Sequence, residues 1–412
     1  MVKTLTKILK ILARLTVKRY KPFIIGVTGS AGKTSAKEAI FASLSPKGKV
    51  RRTSANFNNE LGLPLSILGD WSAIQKPVWF FWLRVIISAA VQLIVPLKPY
   101  SDILVLEYGA DRAGDIQKLL AIAKPDIGVI TAIGNIPVHV ENYPNGIEDV
   151  FREKAKLISA LTAAKTAVLN ADDPLYERLK ERTRAKVVSY GFNEKADMRI
   201  LHFTHVLKEM RVEGVAFKIQ YKNSTIPISI PTAFSVSHAY AAACALAVAA
   251  ERDINPIDAS ALIHTYRPVH GRSVLIQGIK HTQLVDESYN SSPLALETAL
   301  KTLKMITFKR RIAVLGDMLE LGEYTLKAHE KAGEEAAESV DVLITVGTRA
   351  KFIAYKAREK GLAQEQVHIF ETAQEAGRKL QEVMREGDII LIKGSHSIGL
   401  EKVVEEVRSL SS

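Results

Sequence analysis

The sequence predicts an α/β protein built around two sheets, a larger, mostly parallel one followed by a smaller one. Three observations carry that prediction. Short apolar runs alternate with helical patterns along most of the 412 residues, the signature of parallel strands joined by crossover helices. A glycine-rich loop, Gly26-Val-Thr-Gly29-Ser-Ala-Gly32-Lys33-Thr34, joins the first strand pattern to a helical one. The alternation breaks at His264-Thr-Tyr-Arg-Pro-Val-His-Gly-Arg272, where Pro268 and Gly271 mark a hinge between two units. With 47% hydrophobic and 24% charged residues the chain has core enough for both units and is neither disordered nor fibrous.

The first element is a basic helix. Lys3, Lys7, Lys10, Arg14, Lys18, Arg19 and Lys21 fall within residues 1 to 22 without a single acid, so more than half of the net charge of +12 sits there. The remainder is nearly neutral for its length, which removes nucleic acid as an expected partner. Bases recurring every three or four positions against Leu5, Ile8, Leu9, Leu12 and Leu15 predict an amphipathic helix over residues 1–21, suited to an anionic membrane surface. Charges interrupt its apolar run and no small-residue cleavage site follows, unlike a signal peptide.

Phe23 to Thr28 then reads as a buried strand and Thr34 to Leu44 as the helix after it. Between them, glycines let backbone N–H groups close around phosphate oxygens, Lys33 supplies a point charge, and the Thr34 hydroxyl reaches toward a metal ion. The expected ligand is a nucleoside triphosphate with Mg²⁺, contacted by Gly29, Ser30, Gly32, Lys33, Thr34 and Ser35.

After a second strand comes Thr53-Ser-Ala-Asn56-Phe-Asn58-Asn59-Glu60-Leu-Gly62-Leu-Pro64, a dense hydrogen-bonding loop. An apolar insertion follows, from about Trp71 to Tyr100. Within it Val78 to Val95 reads as a helix on which Arg84, Ser88 and Gln92, spaced four apart, form one polar stripe. Three readings stay open for this helix: burial against the body or a partner subunit, an in-plane position on a membrane together with residues 1–21, or a span.

Strands at Ile103–Glu107, Ile127–Thr131, Ala167–Asn170 and Val187–Tyr190 continue the parallel sheet, and the alternation from Met198 to Ile230 predicts an antiparallel addition. The Ala-rich helix Ser235 to Ala250 closes the unit. It holds Cys244, the only cysteine, which excludes an internal disulfide and a cysteine-based metal site and points to the cytoplasm. Beyond the hinge, Gln283–Asp286, Arg311–Gly316, Val342–Val346 and Ile389–Lys393 predict a smaller Rossmann-like α/β domain. The expected divisions are 1–21, 22–264 and 265–412.

Further segments stand in a telling order after the phosphate loop and the asparagine-rich loop. They are Glu107-Tyr-Gly109-Ala110, Leu169-Asn170-Ala-Asp172-Asp173, Asp286-Glu-Ser-Tyr289-Asn290-Ser-Ser-Pro293, Leu315-Gly316-Asp317-Met318-Leu-Glu320-Leu321-Gly322 and Lys393-Gly394-Ser395. Together they resemble the muramyl-peptide (Mur) ligase family over roughly residues 22 to 408, and within it the branch that adds D-alanyl-D-alanine to UDP-N-acetylmuramoyl-tripeptide.

The resemblance implies an ATP-dependent ligase of peptidoglycan precursor synthesis, in which a substrate carboxylate takes the γ-phosphoryl group and an amine displaces phosphate from the acyl phosphate. It implies one Mg²⁺ held by Thr34 and Glu107, a second bound with the help of His139, and a Lys154 carbamylated with CO₂ as a further metal ligand, with Lys156 as a neighbouring candidate. Lys33, Lys154, His139 and Arg272 form the implied catalytic set, and Tyr289 and Asn290 face the nucleotide. Asn56, Asn58, Asn59, Lys393 and Ser395 are assigned to the muramoyl-peptide and D-Ala-D-Ala substrates. Asp317, Glu320 and His329 match the pattern without a role. A monomer is expected, cytoplasmic, at or near the inner membrane face.

The chain also departs from the family. Ala132 stands in the place of an asparagine, Glu287 of an aspartate, Ser292 of an asparagine and His396 of an arginine. The basic helix occupies the place of the family's separate domain for the UDP sugar. Two alternatives therefore stand beside the leading one: a Mur-type ligase for another or lipid-linked carboxylate, and a nucleotide-dependent membrane scaffold without turnover.

Overall fold

A computed structural model describes residues 2–54, 57–95, 99–209 and 211–409. Its first sheet contains β1 (Phe23–Thr28), β2 (Val50–Arg52), β3 (Ile103–Glu107), β4 (Ile127–Ile130), β5 (Thr166–Asn170), β6 (Lys186–Gly191), β7 (Met198–Lys208), β8 (Arg211–Tyr221) and β9 (Ser224–Pro231). The spatial order is β2-β3-β1-β4-β5-β6-β7-β8-β9. Pairing is parallel as far as β7 and antiparallel through β8 and β9. The expected antiparallel addition is therefore present, but its first strand joins the sheet in parallel, through Tyr190 beside Met198 and Gly191 beside Arg199.

Strand chemistry explains the difference between the two parts. β3, β4 and β5 are buried at every position, as continuous apolar runs are when helices cover both faces of a parallel sheet. β8 alternates buried and exposed residues because one of its faces meets water. The helix Ser237–Ala250 lies against the first sheet, buried at eleven positions that include Cys244. Its run of alanines lets it approach the helix Lys33–Ser43 closely; Ser43 Oγ reaches the Ala245 carbonyl at 3.4 Å.

The second sheet contains β10 (Val274–Gln277), β11 (Gln283–Glu287), β12 (Arg310–Gly316), β13 (Val342–Val346), β14 (Val367–Phe370) and β15 (Asp388–Lys393), in the order β10-β11-β15-β12-β13-β14. Only β10 runs antiparallel. β10 and β14 have four residues each, too few to show a pattern in the sequence. A bridge between Ala233 and Val274 ties the end of the first unit to the start of the second.

The N-terminal helix, Val2–Tyr20, turns Leu9, Ala13 and Thr16 inward. Ile8 and Leu15, expected on its apolar side, are exposed instead, among the bases, as is Ile11. The helix Val78–Ile94 fully buries Phe81, Trp82, Val85 and Ala89. Among the described residues no helix is long and apolar enough to cross a membrane, which removes the reading of Val78 to Val95 as a span. Burial of this helix is one-sided, so the body does not cover it.

Candidate functional site

Everything converges on the carboxyl end of β1. The chain leaves β1 for β2 and β3 on one side and crosses to β4 on the other, so β1 stands where the strand order reverses and a crevice opens. The loop after β1 is shaped by its glycines. Gly29, at φ 150°, lies so close to Thr131 that a Cβ would stand 2.1 Å from its Oγ1, and Gly32, at φ 81°, caps the helix Lys33–Ser43 in left-handed geometry. The Ser30 amide donates to the Ala132 carbonyl at 2.6 Å, which closes the loop over the end of β4.

Two amines meet beneath this loop. Lys33 Nζ donates to the Gly29 carbonyl at 2.8 Å, and Lys154 Nζ donates to the same oxygen at 3.2 Å. Burial lowers the Lys33 pKa, opposed by the Glu107 charge. Burial and the neighbouring Lys33 charge bring Lys154 down to about 7. Lys156, the other candidate, is exposed enough to pair with Glu153 at 2.6 Å. The helix Ile147–Ser159 buries its Val150, Lys154 and Leu157 side, and Lys156 lies on another.

Glu107, at the end of β3, is the acidic centre. Its Oε2 stands 3.5 Å from Thr34 Oγ1, its Oε1 accepts from Asn58 Nδ2 at 3.3 Å, and Thr53 Oγ1 accepts from its amide. The sequence reading missed a partner, Lys37, whose Nζ lies 3.7 Å from Glu107 Oε2 while the side chain is 1% exposed. The available signal was a lysine among Ala36, Ala39 and Ile40 on the buried side of its helix. Asn59 turns Oδ1 to the amides of Leu61 and Gly62 and so caps its own loop. Asn56 lies outside the described residues.

The second unit faces this loop across a cleft lined by Ser30, Thr34, Asn170, Tyr240, Arg272 and Asn290 among others. Arg272 sits 4.2 Å over the Tyr289 ring, which stacks on His396. Gly271, at φ 72°, permits this, since a Cβ there would stand 2.7 Å from that of Tyr289. Lys393 lines the same cleft, bound to Glu287 at 2.9 Å and to the Asn290 carbonyl at 3.0 Å. That pairing follows from register, because Lys393 on β15 lies opposite Glu287 on β11. Ser395 accepts from the Leu319 amide and donates its own amide to the Asp317 carbonyl, so it joins two loops. Asp317 and His329 likewise hold backbone amides, those of Arg349, Ala350 and Met318.

His139 leans across the domain boundary, with Nε2 3.3 Å from Asp111 and Nδ1 2.7 Å from Glu320. Neither acid was singled out by sequence as its partner.

The donor set fits a polyphosphate. Arg272 lines the cleft, and its charge adds to burial in lowering the Lys33 pKa, so an anion entering there would relieve two cations held close together. Among the described residues the buried Ser30 hydroxyl has no partner inside the loop. Among the described residues no group of three or more His, Cys, Asp or Glu is arranged for a metal. A cation at Thr34 and Glu107 would complete its shell with phosphate oxygens and water, as Mg²⁺ in nucleotide sites does.

Comparison with known proteins agrees with this geometry. The family model of the Mur ligase middle domain matches residues 91–246, and that of the Mur ligase glutamate ligase domain matches residues 271–396. The chain is 28% identical over 398 residues to the UDP-N-acetylmuramoyl-tripeptide--D-alanyl-D-alanine ligase of Bacillus subtilis, covering 96% of this chain and 78% of that protein. In fold it is similar to MurF from Acinetobacter baumannii, with a TM-score of 0.78, 21% identity and coverage of 97% and 79%. It is also similar to the MurF ligase from Thermotoga maritima in complex with ADP, with a TM-score of 0.76, 24% identity and coverage of 97% and 83%. Matched in both units, the chain belongs to the Mur ligase family.

Proposed function

We propose that the chain is an ATP-dependent amide ligase that joins D-alanyl-D-alanine to a UDP-N-acetylmuramoyl-tripeptide. It would work as a monomer in the cytoplasm, close to the inner membrane face. The convergence of Lys33 and Lys154 on the Gly29 carbonyl, opposite Arg272 across the cleft, carries this reading. Phosphoryl transfer to a carboxylate needs positioning and charge neutralisation more than covalent help from the protein. The phosphate loop amides and Lys33 would hold the triphosphate, and Arg272 would approach the transferred group from the second domain. Tyr289 and Asn290 would border the nucleotide.

Lys154 has the chemistry for carbamylation. An amine brought to about 7 is substantially neutral near pH 7 and keeps its lone pair. Its Nζ forms a bond to the carbon of CO₂ and releases a proton, which turns a cation into a carboxylate-like oxygen donor. Thr34, Glu107, His139 and the modified Lys154 would hold Mg²⁺, which supplies charge neutralisation on the phosphoryl group. Closure of the cleft by the second domain excludes water from the acyl phosphate.

The deciding experiment is phosphate release from ATP. Release that requires both the UDP-sugar tripeptide and D-Ala-D-Ala is expected. Release independent of both, or none with either a soluble or a lipid-linked acceptor, would overturn the ligase reading in favour of a scaffold.

A further inference from the structure

The N-terminal helix and the helix Val78–Ile94 form one unit. Leu9, Phe81, Trp82 and Val85 share a buried cluster with Leu65, and the Tyr20 hydroxyl donates to the Gln92 carbonyl at 2.5 Å. What the unit turns outward is unusual for a water-facing surface. Trp79 is 67% exposed, Phe80 and Ile87 53% each and Ile94 77%, and the N-terminal helix adds Ile8, Ile11 and Leu15. Large apolar side chains clustered at this density mark a contact surface.

The charges name the partner. Residues 2–20 and 71–95 carry Lys3, Lys7, Lys10, Arg14, Lys18, Arg19, Lys76 and Arg84 and no acid at all. Glu60, an acid that touches the N-terminal helix, is neutralised by Lys10 at 2.6 Å. Lys3, Lys7, Arg14, Lys18, Arg19, Lys76 and Arg84 are exposed. Arg84 also covers Trp71, 5.4 Å from its ring.

We infer that this two-helix unit docks on an anionic phospholipid surface. Its apolar side chains enter the boundary between headgroups and acyl chains while the bases meet lipid phosphates. A second copy of the chain is the poorer occupant, because it would set bases against bases with no acid to relieve them. At 17 residues, Val78–Ile94 falls short of the hydrocarbon core, so it lies in the plane of the surface. The inference stands apart from the ligase reading, since docking needs neither ATP nor acceptor.

The test is co-sedimentation of the full chain with vesicles of phosphatidylcholine alone and of phosphatidylcholine containing about one-third phosphatidylglycerol. At low salt, binding to the anionic vesicles should exceed binding to the neutral ones by about tenfold or more, and about 0.5 M salt should abolish the difference. The pair Trp79→Glu and Ile87→Glu, and separately the pair Lys3→Glu and Lys7→Glu, should each cut binding about tenfold with the melting temperature unchanged. Equal binding to both vesicle types, no binding at low salt, or variants that bind like the parent would overturn the inference. So would a dimer in sedimentation equilibrium that the Trp79→Glu and Ile87→Glu pair converts to monomer, because the surface would then be covered by a second copy.

Discussion

Glu320 Oε2 lies 2.7 Å from Nδ1 of His139, a contact made from one domain to the other. Both residues hold left-handed backbone, at φ 64° and φ 65°. For a residue with a Cβ that conformation costs about 1 kcal/mol or more, so the surroundings must impose it. Gly322, itself at φ 55°, lies beside this contact, and a Cβ at its position would stand 3.0 Å from that of Glu141, so a glycine favours the close meeting of the two turns. The nearby His139 ring also lowers the Glu320 pKa. A carboxylate on one ring nitrogen fixes the orientation of the other, here toward Asp111 at 3.3 Å.

Glu320→Ala should therefore lower activity by about 10- to 100-fold. The Mg²⁺ concentration for half-maximal rate should rise, and the melting temperature should change little. Initial rates over a Mg²⁺ titration measure this; an unchanged half-maximal concentration would remove Glu320 from the support of His139.

Lys33→Ala should lower kcat/KM by about 10²- to 10³-fold, the scale for loss of one preorganised charge contact to a transition state. Lys154→Ala should be equally damaged but should recover in part with added formate or acetate, which restore an oxygen donor in the vacated space. Rates with and without these carboxylates test the carbamate. Normal activity without rescue, or no recovery at any concentration, would count against it.

Gly29→Ala should abolish ATP binding, because its Cβ would overlap Thr131 Oγ1 at 2.1 Å and push the loop off β4. Gly361→Ala is the matching control. Its φ of 102° is also left-handed, but no atom lies within 4 Å of the added Cβ, so the cost is confined to about 1 kcal/mol of backbone strain. Calorimetric titration with ATP separates the two.

His238 supplies a pH test of the core. Burial lowers its pKa to about 4 from 6.5, and its Nδ1 is 2.9 Å from the Tyr266 hydroxyl. Because the folded value is the depressed one, the neutral form favours the native state. Its stabilising effect is complete above pH 6.5 and is lost as pH falls toward 4, where the loss amounts to about 3 kcal/mol. Melting curves of the parent and of His238→Gln should converge across that interval. Parallel curves would show that His238 does not titrate in folding.

Much of the site was legible in the sequence because phosphate binding depends on local geometry. Gly29, Gly32, Lys33 and Thr34 lie on one strand, turn and helix, whose spacing alone brings amides and an amine together. Glu107 was legible for a related reason, since the end of a parallel strand beside a phosphate loop is where ligands gather. Lys37 was not, because its spacing suits an ordinary helix lysine and only the approach of β3 makes it a buried partner of Glu107. Asp111 escaped as well, and Glu320, though named, was not foreseen as a partner of His139. Neither has a spacing relative to His139 that means anything until the loops fold and the domains meet.

The outer helices mark the same division. The amino-acid pattern determined a basic helix near residues 1–21 and an apolar one near Val78 to Val95, which the structure describes at Val2–Tyr20 and Val78–Ile94, because periodicity and propensity are local. It did not determine which side of either helix faces the body. Leu9, Ala13 and Thr16 went inward while Ile8, Ile11 and Leu15 stayed out. Only packing against Leu65, Phe81 and Trp82 settled that, since the rotation of a helix about its axis is chosen by the surface it meets.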